Sequence, residues 1–351
     1  MSACTVGIAC HSFRIDGGMG RYVYGLAEGL LELGITPTVF TKKIDRSLPI
    51  ASKINFVHIN CRFLPSKLRD YYFNRRLAAE RRKHPVDVMI SCNRNTHSDI
   101  GICGGTHIGY CKAVNRPLSF FDKLMISMEK AYYANCRLII AHSDKMRAEL
   151  IEYYGIDPAR CPTVYPPVSP ETFAAADFKP IDFGAGDRYT FLIPSAGNHQ
   201  VKGLDLLAGY FERSALPITL LIAGRPFKPE SPNVRYIGFR KDMPDVYRSV
   251  DFTILGSRYE AFGLVGIESV ASGTPVVLSR NVGSSEVISP EVCSTFDPYS
   301  FESFEEAVSK SISRWPKKKI TDPWQYLSVS TSNSEHVRTL LDLYSAVSPR
   351  K

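Results

Sequence analysis

The sequence has no apolar run approaching the ~18 residues of a membrane-spanning helix, so no helical span is expected. Its first residues, Met1-Ser2-Ala3-Cys4-Thr5-Val6, lack a basic n-region, and His11 breaks the apolar run behind them, so no secretory signal is expected either. There is no C-x-x-C pair. The nine cysteines are an odd number, and eight of them precede residue 162, which predicts reduced thiols in a cytosol rather than a disulfide framework. The 24 Gly and 23 Pro follow no fixed G-x-y period, which excludes a collagen-like chain. No D-x-D pair and no H-E-x-x-H occur, so no metal site is expected. A G-x-S-x-G elbow is also missing, which leaves a serine hydrolase without support.

What is present is an ordinary globular composition, 44% apolar and 22% charged, over 351 residues. That length accommodates two domains of about 150 residues with a small appendage. Short β-branched runs at 5–10, 37–41, 54–59, 86–91 and 138–142 read as strands, with helical patterns such as 20–33 and 66–83 between them. Four prolines within residues 162–170 cannot continue a helix and favour an extended crossing, which places a domain boundary and hinge there. The pattern then repeats. Strands are expected at 191–194, 218–223, 234–237, 252–255 and 275–278, and helices at 203–211, 244–249, 263–271 and 301–312. A last helix is expected at 334–346. Alternating strands and helices imply an α/β chain of two doubly wound parallel sheets, whose ligands bind at the strand C-termini.

The net charge of +8 is clustered: residues 62–83 hold eight basic residues, including Arg69, Arg75, Arg76, Arg81, Arg82 and Lys83, against Asp70 and Glu80. Phe63, Tyr71, Tyr72 and Phe73 lie in the same stretch. Such a segment suits an anionic membrane surface or an anionic acceptor, and equally a solvated helix face whose aromatics pack inward. No nucleic-acid-binding motif accompanies the charge, so no nucleic acid is expected as a partner.

Two stretches carry chemistry. Ser12-Phe13-Arg14-Ile15-Asp16-Gly17-Gly18-Met19-Gly20 follows the first strand and opens the first helix. Glycines there let the backbone approach a ligand, and free amides at a helix start suit phosphate. The spacing lacks the full G-x-G-x-x-G and a following acidic residue, which disfavours a nicotinamide enzyme. The second stretch, residues 257–277, has Glu260 in a turn, Gly263 opening a helix and Glu268 on its second turn. Carboxylates accept hydrogen bonds from vicinal hydroxyls, and helix-start amides bind phosphate. Hydroxyl, phosphate, hydroxyl is the chemical order of a nucleotide sugar. An acidic amphipathic helix would explain less of the match.

The stretch S-x-x-E-x-F-G-L-x-x-x-E-x-x-A-x-G-x-P-V-V resembles the donor-site motif of family 4 retaining glycosyltransferases (glycosyl transferases group 1) of the GT-B fold. The resemblance extends to Gly17-Gly18, to Glu129-Lys130-Ala131-Tyr132-Tyr133, to Lys202-Gly203 and to Val282-Gly283-Ser284-Ser285-Glu286. It implies two Rossmann-like domains facing across a cleft, 1–165 on the acceptor side and 166–330 on the nucleotide-sugar side, with a C-terminal helix, 331–351, returning toward the first. It further implies that Glu268 holds the ribose, Glu260 faces donor-sugar hydroxyls, and Lys202 neutralises the diphosphate. The amides near Phe262, Gly263, Leu264 and Val265, with Gly17-Gly18, would surround the pyrophosphate. His107 resembles the histidine that the family sets near the donor sugar, where its ring or Thr106 would reach a hydroxyl; a loop histidine paired with backbone is the alternative. His11 and His97 are lesser candidates.

The arginine that the family places about five residues before the lysine is absent from Ser195-Ala196-Gly197-Asn198-His199-Gln200-Val201-Lys202. Arg225 on the next βα turn is the expected substitute, with Arg258 and Arg21 as others. The resemblance thus implies hexosyl transfer from a UDP- or GDP-linked donor to a saccharide or lipid-linked saccharide acceptor, with no cofactor and no metal. It places the enzyme in cell-envelope polysaccharide or lipopolysaccharide synthesis, in the cytoplasm or at the inner face of its membrane. A nucleotide-sugar 2-epimerase and an impaired nucleotide-sugar-binding subunit are the alternatives.

Overall fold

The computed structural model describes residues 4–15, 17–173, 178–195, 197–229 and 231–347. Residues 1–3, Asp16, 174–177, Ala196, Glu230 and 348–351, and the side chains of Lys67, Glu171 and Thr172, therefore lie outside the described set. The chain divides into two compact units. One comprises residues up to Cys111, Arg116–Pro167 and everything from Ser330; the other holds Lys112–Asn115 and Val168–Val329.

The first unit runs β1 (Val6–Cys10), α1 (Gly18–Glu32), β2 (Thr38–Thr41), β3 (Asn55–His58), α2 (Arg69–Lys83), β4 (Val88–Ser91), β5 (Ile100–Cys103), α3 (His107–Ala113), α4 (Phe120–Asn135), β6 (Leu138–Ala141) and α5 (Asp144–Tyr154). Its six strands are all parallel, in the order β3-β2-β1-β4-β5-β6. Strands β1, β4, β5 and β6 are buried at every residue, as expected of a sheet covered on both faces. The sequence reading missed β5. Its four residues carry a glycine and follow a polar loop, so only its pairing to β4 and β6 identifies it.

The second unit runs β7 (Tyr189–Ser195), α6 (Leu204–Arg213), β8 (Ile218–Gly224), β9 (Val234–Gly238), α7 (Met243–Ser249), β10 (Phe252–Leu255), α8 (Leu264–Ala271), β11 (Val276–Ser279), β12 (Cys293–Phe296) and α9 (Phe301–Arg314). Its parallel order, β12-β11-β10-β7-β8-β9, repeats that of the first sheet. Edge strand β12 was also missed, because Cys293-Ser294-Thr295-Phe296 shows no run of β-branched residues. In both sheets the order reverses beside the first strand, at β1/β4 and at β7/β10, and ligands of open α/β sheets bind beyond the strand ends at such a point.

The last helix, α10 (Asn333–Val347), returns to the first unit, as the resemblance implies. α1 buries Tyr22, Val23, Leu26, Ala27 and Leu30, one stripe at helical spacing, and α10 adds Val337 and Leu340 to the same core. Tyr22 Oη meets His336 Nε2 at 2.9 Å and Asn333 Nδ2 donates to Glu28 Oε2 at 2.8 Å. The helices approach so closely at Gly29 that a Cβ there would lie 2.4 Å from the Asn333 carbonyl oxygen.

Candidate functional site

The C-terminal ends of β7 and β10 carry the two loops that meet at the second unit's strand reversal. The loop after β7 ends in Lys202 and Gly203, which begins α6 with φ +66°. The loop after β10 contains Glu260 and ends at Gly263, which begins α8 with φ +86°. A Cβ on Gly263 would come within 2.9 Å of Val282 and 3.0 Å of the Glu260 Cγ, so both the backbone angle and the space require glycine. The turn is stitched to the later glycine loop: Gly283 N donates to Glu260 O at 3.3 Å and Ser284 N to Phe262 O at 2.6 Å.

This folding brings residues 58 apart together. Lys202 Nζ forms an ion pair with Glu260 Oε2, which also accepts from Ser257 Oγ at 3.5 Å. Both side chains keep some exposure, 30% for Lys202 and 17% for Glu260, so the pair is reachable from solvent. Glu268 lies deeper, 6% exposed, and accepts from Tyr247 Oη at 3.0 Å. Phe262 is buried and Leu264 and Val265 are half-buried. Gly266 N–H donates to the Gly263 carbonyl at 3.0 Å, and the amides before it have no acceptor within the helix. A cation, two carboxylates and a helix start thus share one sheet end.

Arg225 follows β8, beside Ser195 of β7, whose carbonyl accepts its backbone N–H at 2.9 Å; its guanidinium makes no hydrogen bond with the described residues. Arg258 is committed elsewhere, with its two terminal nitrogens on Asp205 at 2.7 Å each. Sequence reasoning missed three further groups. Ser195 Oγ, His199 Nε2 and Ser284 Oγ are buried without a hydrogen-bond partner among the described residues. Buried polar atoms are nearly always paired, so unpaired atoms on these loops mark a place for a polar ligand. The orphaned His199 was discernible only as a polar residue near Lys202.

In the first unit Gly17, with φ +110°, precedes α1, and Gly18 opens it. His107 begins α3 rather than lying in a loop. Its backbone N–H donates to both oxygens of Glu129, at 2.9 and 3.1 Å, and its ring Nε2 meets Asp122 Oδ1 at 2.7 Å. Thr106 is buried and gives its hydroxyl to Glu149. Cys111 Sγ joins His107 and Asp122 within 4.8 Å, but Arg116 donates to the same Asp122 oxygen at 2.6 Å and occupies the cation's place. His11 lies 3.4 Å from Asp70, and burial pushes its imidazole down to about 4 against that carboxylate's pull. His97 is likewise lowered by burial, and by Arg81 and Arg82.

The basic segment divides. Arg81 bonds Asp99 at 2.6 Å, Arg76 and Lys83 share Glu80, and Arg69 donates to the Leu64 carbonyl at 2.8 Å. Arg75 and Arg82 are exposed and make no such bond with the described residues. Phe73 and Leu77 pack inward, as the solvated-face reading expects, while Tyr71 on α2 and Phe63 before it remain 63% and 65% exposed.

Residues 16–172 match the model of Glycosyltransferase Family 4 and residues 188–314 that of Glycosyl transferases group 1. A probable transglycosylase of Burkholderia thailandensis is 40% identical over 304 residues, covering 84% of this chain and 82% of the relative. The lipopolysaccharide glucosyltransferase WaaG of Escherichia coli is 21% identical over 365 aligned positions, 94% and 92% of the two chains. The crystal structure of WaaG aligns over 97% of each chain with a TM-score of 0.72 at 16% identity. HepE of Anabaena, solved in complex with UDP and glucose, aligns over 98% of each chain with a TM-score of 0.67 at 12% identity. No helix among the described residues is long and apolar enough to cross a membrane.

Proposed function

Because the chain belongs to the family 4, group 1 glycosyltransferases, we propose that it moves a hexosyl group from a UDP- or GDP-linked donor to an acceptor hydroxyl with retention and without a metal. The observation that carries this reading is the Lys202–Glu260 pair set beside the start of α8, above buried Glu268. In this reading Glu268 accepts from the ribose hydroxyls and Glu260 from hydroxyls of the sugar. Lys202 and the amides of residues 263–265 meet the diphosphate, joined by Arg225 and by the unpaired His199 and Ser284. As the anomeric C–O bond breaks, its electron pair passes to the departing phosphate oxygen. The acceptor oxygen bonds the anomeric carbon from the same face, and its proton goes to that phosphate oxygen. Fixed donors aimed at the growing negative charge lower the barrier.

The acceptor is a saccharide or lipid-linked saccharide of the cell envelope. The relatedness to a lipopolysaccharide glucosyltransferase supports this, as do Arg75, Tyr71 and Phe63, all exposed in the basic segment, which suits peripheral contact with an anionic membrane. A thermal-shift screen of nucleotide sugars tests the donor, since a bound ligand stabilises the fold. NMR of the product's anomeric proton tests retention, and turnover in excess EDTA tests metal independence. An inverted product, or activity abolished by EDTA and restored by a divalent ion, refutes the corresponding part. An epimerised sugar formed from donor alone would favour the 2-epimerase reading instead.

A further inference from the structure

A cavity of about 290 Å³ opens in the first unit, lined among others by His11, Asp70, Arg94, Met125, Met128 and Glu129. His11 follows β1 and Arg94 follows β4, so the cavity sits at the strand reversal of this sheet, where open α/β sheets take their ligands. Its most unusual group is Glu129. The side chain is 0% exposed, and burying a carboxylate is costly unless donors surround it. Here they do: Arg94 Nε at 2.7 Å, the His107 N–H at 2.9 Å, and the Tyr154 hydroxyl.

The bond uses only Nε of Arg94. The two terminal nitrogens make no hydrogen bond with the described residues, and the side chain keeps 35% exposure on the cavity wall. A guanidinium held by Nε presents a planar fork that matches a carboxylate or phosphate with two parallel N–H groups. Across the cavity Asp70 is already compensated by Lys42 Nζ at 2.7 Å, so its charge does not stand alone against an incoming anion. Met125, Met128, Tyr132 and Tyr133 supply an apolar wall, which suits the face of a sugar ring.

The geometry points to Arg94, oriented by Glu129, as the residue through which this cavity takes an oxyanion carried by the acceptor saccharide, a phosphate or a carboxylate. The inference rests on the glycosyl transfer proposed above and names the class of acceptor. Arg94 is the binding residue and Glu129 its positioning residue.

The test is isothermal titration of the full chain, first with UDP and GDP and then, with whichever binds held at saturation, with glucose 6-phosphate, glucuronate and glucose. One of the two anionic sugars is expected to bind at least tenfold more tightly than glucose, and which one it is identifies the oxyanion. Arg94→Lys and Glu129→Gln should each weaken that sugar at least tenfold while leaving nucleotide and glucose affinity unchanged. A merely structural Glu129 would not produce this split. The Arg94→Met, Glu129→Gln double variant leaves no buried charge unpaired and reads the same loss if a single variant fails to fold. Equal affinity for the three sugars, no binding of any, or an anion affinity untouched in these variants overturns the inference. Failure to bind either nucleotide would instead strike the donor reading, and the sugar titrations without nucleotide then decide the Arg94 inference alone.

Discussion

Replacing Glu268 by alanine gives the sharpest test of the donor site. The carboxylate is 6% exposed on the second turn of α8, and Tyr247 occupies one of its roughly four lone-pair sites. Two vicinal ribose hydroxyls would take two more. A hydrogen bond to a charged group contributes about 1.5–3 kcal/mol, so losing both weakens nucleotide binding by about 3 kcal/mol or more. At 1.4 kcal/mol per decade this is a rise in Kd of about 100-fold. Glu268→Gln keeps the shape and one acceptor, and should cost about tenfold. Calorimetric titration of UDP and GDP measures both. Removing the carboxylate also leaves the Tyr247 hydroxyl without this acceptor, so Tm is recorded on the same samples and Tyr247→Phe serves as the stability control. A folded Glu268→Ala protein whose Kd lies within twofold of the parent would refute the ribose role.

Lys202→Ala should lower kcat about 100- to 1000-fold, the cost of removing one fixed donor from a developing oxyanion, and a turnover assay with saturating donor checks it. Arg75→Ala with Arg76→Ala should weaken flotation with anionic vesicles by about tenfold or more, at about 1 kcal/mol per basic residue, and leave UDP affinity unchanged; vesicle binding that ignores both charge and salt would end the membrane proposal. Burial holds the His336 imidazole down to about 4 and the His142 imidazole to about 3, both below the ordinary 6.5. Between those values the unfolded chain binds protons that the folded chain does not, so stability falls as pH drops from 6.5 toward 4, by up to about 3 kcal/mol for His336. Thermal melts from pH 7 to 4 should show a shallower slope in His336→Gln, which still offers Tyr22 a partner; identical slopes would contradict the assignment.

The long periodic elements were readable from sequence because their patterns are local. The α1 stripe and the run of residues 252–278 come through within a residue or two of the observed bounds. What was not readable depends on pairing across distance. β5 and β12 are defined by neighbours rather than by composition. α4 carries a legible cap, Ser119 with Asp122 at N3, yet only the strand after it was read, because β5 before it was missed. At the site, Lys202, Glu260 and Glu268 stood out by motif, but their bonding did not: the Lys202–Glu260 pair exists because β7 and β10 are adjacent. Glu129 stood only inside a family pattern, with no role, and Arg94 was not singled out in the linear reading. Only the burial of one and the cavity beside the other distinguish them.

The return of α10 to α1 gives the chain an order of assembly on the ribosome. The unit whose first strand emerges earliest cannot cover the α1 side of its core until the residues beyond Ser330 have been made, after the whole of Val168–Val329. At about 5–20 residues per second that wait is on the order of ten seconds. Through that interval the Tyr22–Leu30 stripe is without its partner helix, while the unit that begins later can close first. A chaperone that guards nascent chains would find its ligand there, and a tag fused directly after Val347 would burden the step that completes the first unit.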